Sequence, residues 1–341
     1  MNCMQALICD EFGPIDTSIR LGECAAPDTP GPDDVIVDVA YASVSHAMGL
    51  MIEGRYQTRP PRPFVPGTEA VGTVVACGTN VSRLSPGDRV VAVAKWGCYA
   101  ERLQLPQHTV YRIPDGLSLL DALPVPISYG TAYAGLLWRA AMTPGETVLV
   151  LGAGAGVGLA AVELASLLGA RVIACASTAA KREHALACGA QHVVGPDEEL
   201  AARVKQITGG RGADIVVDPV GGPLFEAATR AVAPNGRMLS IGFASGTIPA
   251  VPLNILLVKN VTLHAMFFGR YVGWTPHDER IQHADAMQHA VETMLGWARD
   301  GKIRPNVSRV YPLAELREAL AALKGRQVVG KVALQIRQQT P

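Results

Sequence analysis

The sequence predicts an α/β protein of two domains: a doubly wound parallel sheet inserted into a mostly-β domain built from both ends of the chain. Three observations predict it. At 341 residues the chain exceeds what one ordinary core organises. Its middle alternates short apolar runs with helical patterns, whereas the segment before it is rich in Val and Ala with broken alternation. The tail after residue 268 carries too little apolar patterning for a core of its own, so it is expected to return to the first domain. The expected boundaries are residues 1–126 with 269–341 for the mostly-β domain and 127–268 for the insertion.

Taken in order, residues 34–45 and 69–78 read as strands, and Pro86-Gly87-Asp88 marks a turn before an extended run at 89–94. In the insertion, strands are expected at 147–151, 171–175, 192–194, 214–218, 237–241 and 261–266. Residues 157–168 between the first two form a helical pattern with almost no charged face, as expected of a helix packed on a sheet. Strands apolar on both faces and separated by helices indicate a parallel sheet covered on both sides, and six in this rhythm fit a doubly wound domain. The tail offers helices at 285–300 and 313–323 and a last strand at 331–336.

Composition excludes several classes of function. Apolar residues make up 49% of the chain and charged ones 18%, a globular composition. Thirty basic and thirty acidic side chains cancel, so no field of one sign draws the protein to nucleic acid or an anionic membrane. The opening MNCMQALICDEFGP has no basic stretch and reaches Asp10 and Glu11 early, so no export signal is expected. No uncharged apolar run is long enough to span a bilayer. Seven scattered cysteines fit a reducing cytosol better than a disulfide framework. A cytoplasmic enzyme acting on small molecules is the expectation.

The clearest motif is Gly152-Ala153-Gly154-Ala155-Gly156-Val157-Gly158, between a strand and a helix. Small residues let backbone approach a pyrophosphate, and the free N–H groups of a helix start meet its charge. Strict GxGxxG spacing fails, because Ala155 and Ala153 stand where the first two glycines would be. The strand–loop–helix context carries the assignment, with Ala155, Gly156, Val157 and Gly158 as the expected cradle. NAD sites usually place an acid about twenty residues further on, to hold the ribose hydroxyls. Here the run is Cys175-Ala176-Ser177-Thr178-Ala179-Ala180-Lys181-Arg182, with no acid. Ser177, Lys181 and Arg182 can bond a 2′-phosphate through charge-assisted contacts. The alternative is that both cations merely face solvent, where the helix dipole disfavours them. NADPH is the expected cofactor.

These residues, with Gly54-Arg55-Tyr56-Gln57, Pro63-Phe64-Val65-Pro66-Gly67-Thr68-Glu69, Pro86-Gly87-Asp88-Arg89-Val90, Thr131-Ala132-Tyr133, Asp218-Pro219-Val220-Gly221-Gly222 and Gly330-Lys331, carry a resemblance over essentially the whole chain. It is to the medium-chain dehydrogenase/reductase superfamily, in its zinc-free quinone oxidoreductase (zeta-crystallin-like) branch. The resemblance implies a GroES-like catalytic domain around an inserted Rossmann domain, with substrate in the cleft between them. It also implies a homodimer formed through the edges of the dinucleotide sheets. Zinc-dependent members hold their catalytic metal with Cys, His and Cys, and matching the motifs puts Ser45, Thr68 and Ile127 there. Their structural zinc needs four closely spaced cysteines, where this chain offers Cys98. The resemblance therefore implies no zinc. Without a metal to steady an alkoxide, the acceptor must delocalise the incoming charge itself, as a quinone or an α,β-unsaturated carbonyl does.

By the same resemblance Tyr56 lines the substrate site and donates a hydrogen bond or a proton to the acceptor. Relatives commonly read Asn, an aromatic, then Asp two residues on; here Ser45-His46-Ala47-Met48 stands instead. Ser45 can bond a substrate oxygen, and His46 can contact pyrophosphate or supply a proton. Thr131, Phe243, Ala265 and Phe267 are expected near the nicotinamide, and Arg326 and Lys331 near cofactor phosphate. Glu69 and Asp218 are expected to hold structure. His264 stands where relatives usually have glycine. Two rival readings stay open. One is an enoyl-thioester reductase, with Arg55, Arg59 and Arg62 meeting the phosphates of CoA. The other is a non-catalytic NADPH-binding crystallin-like or redox-sensing protein, favoured by the altered stretch 45–48.

Overall fold

The computed structural model describes residues 2–196, 199–325 and 328–337, and every count or absence below refers to these. They fall into two compact units, Met1–Ile127 with Gly269–Pro341, and Ser128–Phe268.

The first unit is built on a seven-stranded sheet. Its order is Val307–Pro312, Lys331–Gln335, Asp34–Val44, Glu69–Cys77, Arg89–Val93 and Val110–Arg112, with Arg102–Pro106 also paired to Asp34–Val44. The long strand Asp34–Val44 explains the broken alternation of its sequence. Register shifts at Ile36/Val37 and Val39/Tyr41 rotate it locally, so side chains of both parities are buried. The C-terminal strand Lys331–Gln335 pairs antiparallel with it, Val332 opposite Val44, so the tail completes the sheet begun at the N-terminus. Val35, Val37, Val44, Met48, Ile52, Phe64, Leu316, Leu320 and Val332 share one core.

A hairpin, Cys3–Cys9 with Ile19–Ala25, and the strands Arg102–Pro106, Val110–Arg112 and Val307–Pro312 have no counterpart among the sequence expectations. The tail helix is longer than expected, Arg280–Arg299, and starts where Asp278 accepts the Arg280 N–H at 3.0 Å.

The second unit carries a six-stranded parallel sheet in the order His192–Val194, Arg171–Cys175, Thr147–Leu151, Ala213–Asp218, Val232–Ser240 and Thr262–Ala265. In chain order this is 3-2-1-4-5-6, two mononucleotide-binding halves side by side. Every residue of Thr147–Leu151 and Ala213–Asp218 is buried, as continuous apolar runs require. Val232–Ser240 starts five residues before the expected strand. Pro234-Asn235-Gly236 reads as a turn, but the ladder absorbs it as an irregularity: Val232 pairs Ala213, and the register resumes with Arg237 opposite Ile215.

The helix Gly156–Leu167 buries Leu159 through Ala165, including Glu163, which accepts the Tyr129 hydroxyl. Before the first strand, π-helical turns Val125–Tyr129 and Ala134–Arg139 flank the α-turn Gly130–Tyr133. Such widened turns concentrate at functional sites.

Candidate active site

In the second unit the predicted cofactor residues gather at the carboxyl ends of the parallel strands, where such sheets bind ligands. Ala153 N donates to Cys175 O at 2.9 Å, tying the loop to the second strand. Gly152 and Gly156 take φ of +62° and +52°, conformations that favour glycine. A Cβ on Gly158 would overlap the Gly152 carbonyl, so this glycine lets helix and loop touch. A Cβ on Gly156, by contrast, would meet nothing within 4 Å. The helix start opens onto free space beside Ala155, Gly156 and Val157, a cradle that fits a pyrophosphate.

The end of the second strand meets this cradle. Ser177 is exposed, and Thr178 caps the helix Ala179–Ala187 by accepting the Lys181 N–H at 3.2 Å. Lys181 is buried, with its stem lying across Gly154 where a Cβ would stand. Arg182 turns back to donate from Nη1 to Ala176 O at 3.0 Å. Two cations and a hydroxyl are thus presented beside the loop, and residues 171–182 contain no acid. Thr131 is buried in the α-turn, Phe243 is exposed against Gly221, Ala265 ends the last strand and Phe267 follows it. His264 lies on that edge strand, its imidazole pushed below its usual range by partial burial and by Arg139 and Arg237.

In the first unit the candidates gather where Asp34–Val44 ends. Ser45 caps the helix His46–Ile52, its Oγ accepting the Met48 N–H at 3.3 Å. The hydroxyl proton is left for another acceptor. His46 is exposed on the first turn. Its imidazole is pushed below the usual range, first by partial burial, then by Lys324 and Arg55, with Glu53 opposing. Glu53 bonds both cations, Lys324 Nζ at 3.1 Å and Arg55 Nη1 at 3.3 Å. Gly54, at φ +70°, ends the helix against Phe12. Arg55 N and Tyr56 N then both donate to Leu50 O, at 2.8 and 3.1 Å. Tyr56 packs its ring on the core, and burial pushes its phenol up to about 12.

Lys331 opens the last strand, one step beyond the Val332–Val44 pair and so next in register to Ser45. Its Nζ lies 3.1 Å from Glu69, which is fully buried and accepts the Ile127 N–H at 2.9 Å with its other oxygen. Arg326 lies outside the described residues. Of the arginines assigned to a CoA-like phosphate, Arg62 stacks 4.9 Å over the Phe12 ring, and Arg55 belongs to the Glu53 cluster. A cavity of about 690 Å³ lined by Leu200, Lys205, Arg230, Ile255 and Lys259 contains none of the predicted residues. Lys259 there spends its ammonium on the carbonyls of Thr229, Arg230 and Val232.

Sequence reasoning missed Glu53 and Lys324, which are 271 residues apart, and no local pattern signals their meeting. The Ser45 cap was readable from a serine at a strand–helix junction.

Two family models match the chain, an alcohol dehydrogenase GroES-like domain over residues 31–115 and a zinc-binding dehydrogenase over residues 156–287. Quinone oxidoreductase-like protein 2 of Rattus norvegicus is 37% identical over 92% of this chain and 87% of its own length. The structure of Escherichia coli quinone oxidoreductase complexed with NADPH is similar at TM-score 0.85 and 27% identity, over 97% of this chain and 99% of that one. A structure described as an NAD-dependent alcohol dehydrogenase is similar at TM-score 0.86 and 29% identity, over 98% of this chain and all of that one. With a GroES-like domain, a Rossmann-type sheet and relatives that match along almost their whole length, the chain belongs to the medium-chain dehydrogenase/reductase superfamily, in its quinone oxidoreductase-like branch.

Proposed function

We propose that this protein is a cytoplasmic reductase that uses NADPH to reduce a quinone or the C=C of an α,β-unsaturated carbonyl, without zinc. The observation that carries the reading is the set of side chains where metal-dependent members place their ligands. Ser45 Oγ is an N-cap acceptor, Thr68 is buried, and Ile127 is a hydrocarbon whose N–H is bonded to Glu69. Two hydroxyls and an alkyl chain do not make a zinc site. Among the described residues no three His, Cys, Asp or Glu side chains are grouped so as to hold a metal ion.

The cradle at Ala155–Gly158 fits a dinucleotide, and Ser177, Lys181 and Arg182 suit the 2′-phosphate that distinguishes NADPH from NADH. Thr131, Phe243, Ala265 and Phe267 would face the nicotinamide end. A bound nicotinamide nucleotide supplies hydride. The chain's own task is to receive charge on the acceptor oxygen and to deliver one proton. Tyr56, with its pKa pushed up to about 12, keeps its proton across the physiological range and serves as a donor rather than a base. Ser45 adds the proton its cap leaves available. His46 is held toward its neutral form, so it suits relay better than supply, and the proton comes from Tyr56 or water.

The test is loss of NADPH absorbance across a panel of quinones and enones, repeated with NADH and with a chelator. NADPH-specific, chelator-insensitive turnover is expected; stoichiometric zinc in active protein would overturn the reading. Exposed Leu253, Leu257 and Val258 beside the edge strand Thr262–Ala265 support a homodimer through that face. Leu257→Lys with Val258→Lys should leave a monomer by sedimentation; an unaltered dimer would place the interface elsewhere.

A further inference from the structure

We propose that Arg55 and Lys324, held on either side of Glu53 beside His46, form a subsite for an anionic group carried by the acceptor, a carboxylate or a phosphate. The inference rests on reading Tyr56 and Ser45 as the acceptor's contacts.

Two elements distant in sequence deliver the cations to one place. Arg55 follows the helix His46–Ile52, and its backbone N–H shares the Leu50 carbonyl with that of Tyr56, so the guanidinium is tied to the phenol by adjacent backbone. Lys324 ends the helix Leu316–Lys324, whose Leu320 packs 3.7 Å from the Cβ position of Gly49 on the helix that Ser45 caps. Apolar packing therefore brings the chain segments that carry both cations to the helix that Ser45 caps and Tyr56 follows, and Glu53 joins their heads.

The charge balance is uneven. One carboxylate serves two cations, and it is the least exposed of the three: 18% for the Glu53 side chain, 67% for Arg55 and 52% for Lys324. Glu53 acts as an inner post that splays the two heads while leaving most of their N–H groups outward. An ordinary surface pair has one cation per acid and gains little. Among the described residues of this cluster one positive charge is left over, beside an imidazole on which partial burial first, and then these same cations, disfavour another. An acceptor with its own negative charge would complete the cluster, whereas a neutral one leaves it unused. Arg62, committed to the Phe12 ring, adds nothing comparable.

The experiment uses one enone in two charge states, trans-4-oxopent-2-enoate and its methyl ester, each assayed with NADPH over a range of salt. The wild type should prefer the acid in kcat/KM. Arg55→Gln with Lys324→Gln should lower the acid-to-ester ratio about tenfold at low salt, as expected of charge-assisted contacts at exposed heads. The difference should fade as ionic strength shortens the screening length. An unchanged ratio in the folded double variant would overturn the subsite. So would a KM for NADPH that rises equally with both acceptors, because the cations would then serve the nucleotide. If the wild type turns over neither compound nor any quinone, the acceptor-site reading fails. Calorimetric titration of the acid into NADPH-loaded protein then decides the subsite: binding that the double variant loses supports it, and no binding to wild type overturns it.

Discussion

Lys181→Met isolates the charge that the cofactor reading depends on. Methionine keeps a flexible apolar stem of similar length, so the packing across Gly154 survives while the ammonium is removed. Lys181 is 9% exposed, so its field at a nearby phosphate is weakly screened. A hydrogen bond to a charged group contributes about 1.5–3 kcal/mol. Removing it should therefore lower kcat/KM for NADPH by about 10- to 100-fold, at about 1.4 kcal/mol per factor of ten. Arg182→Gln should cost less alone, because Nη1 is already engaged by Ala176 O. NADH has no 2′-phosphate and should be used as before, so the NADPH-to-NADH ratio collapses while kcat with NADH holds. Ser177→Asp should push the same ratio further by placing an acid where NAD sites carry one. The assay is steady-state kinetics with both nucleotides and one quinone, beside a thermal melt. A parallel loss with NADH would refute the reasoning, since Lys181 would then be holding the loop rather than reading the phosphate.

Tyr56→Phe should preserve the packed ring and lower kcat about a hundredfold, the loss expected for one preorganised donor to a developing oxyanion. A kcat within twofold of wild type would remove Tyr56 from the chemistry. The phenol titrates near 10 when unfolded and at about 12 here, so its contribution to stability is complete below pH 10 and fades as the pH rises toward 12. Denaturant titrations over that window should show the slope in the wild type and a shallower one in Tyr56→Phe. Glu69→Gln keeps an acceptor for the Ile127 N–H but strands the Lys331 ammonium, and should cost about 3 kcal/mol. In a unit of about 200 residues that is a Tm lower by roughly 6–12 °C. Glu69→Gln with Lys331→Met should recover most of it in a melt, and no recovery would show that the pair is not what Glu69 stabilises. Gly158→Ala should abolish measurable NADPH binding by forcing the helix off the Gly152 carbonyl, and wild-type binding would contradict the close approach.

The parallel sheet was legible because strands covered on both faces are written as unbroken apolar runs, which a single sequence displays directly. The early start of Val232–Ser240 was not, because Pro234-Asn235-Gly236 has the chemistry of a turn and only pairing to the neighbouring strand overrides it. The hairpin Cys3–Cys9 with Ile19–Ala25 was hidden for a different reason. The second strand leaves Arg20, Leu21, Glu23 and Ala25 uncovered or partly covered, so its pattern resembles a loop. The same contrast divides the site. The cradle and its cations lie within about 30 residues of one another, and local chemistry places them. Glu53 with Lys324, and Glu69 with Lys331, join opposite ends of the chain: packing of the helix Leu316–Lys324 on His46–Ile52 brings the first pair together, and the closing of the sheet by its C-terminal strand the second.

The same closure surrounds the three positions on which the proposed zinc independence rests, Ser45, Thr68 and Ile127. At position 45 the Ser45 hydroxyl caps the following helix, its Oγ accepting the Met48 N–H, and a neutral hydroxyl is not one of the usual zinc ligands. Ile127 is fixed from the other side, its N–H held by a carboxylate that also meets Lys331. Glu69 thus sits beside two of the three positions in question without being available to a metal, because both its oxygens are already engaged and its surroundings exclude water. A zinc site at these positions would need three new ligands. The proposed reading is consistent with this arrangement: the groups nearest those three positions are bonded to the protein, and Tyr56 and Ser45 are the donors it assigns to an acceptor that spreads its own charge.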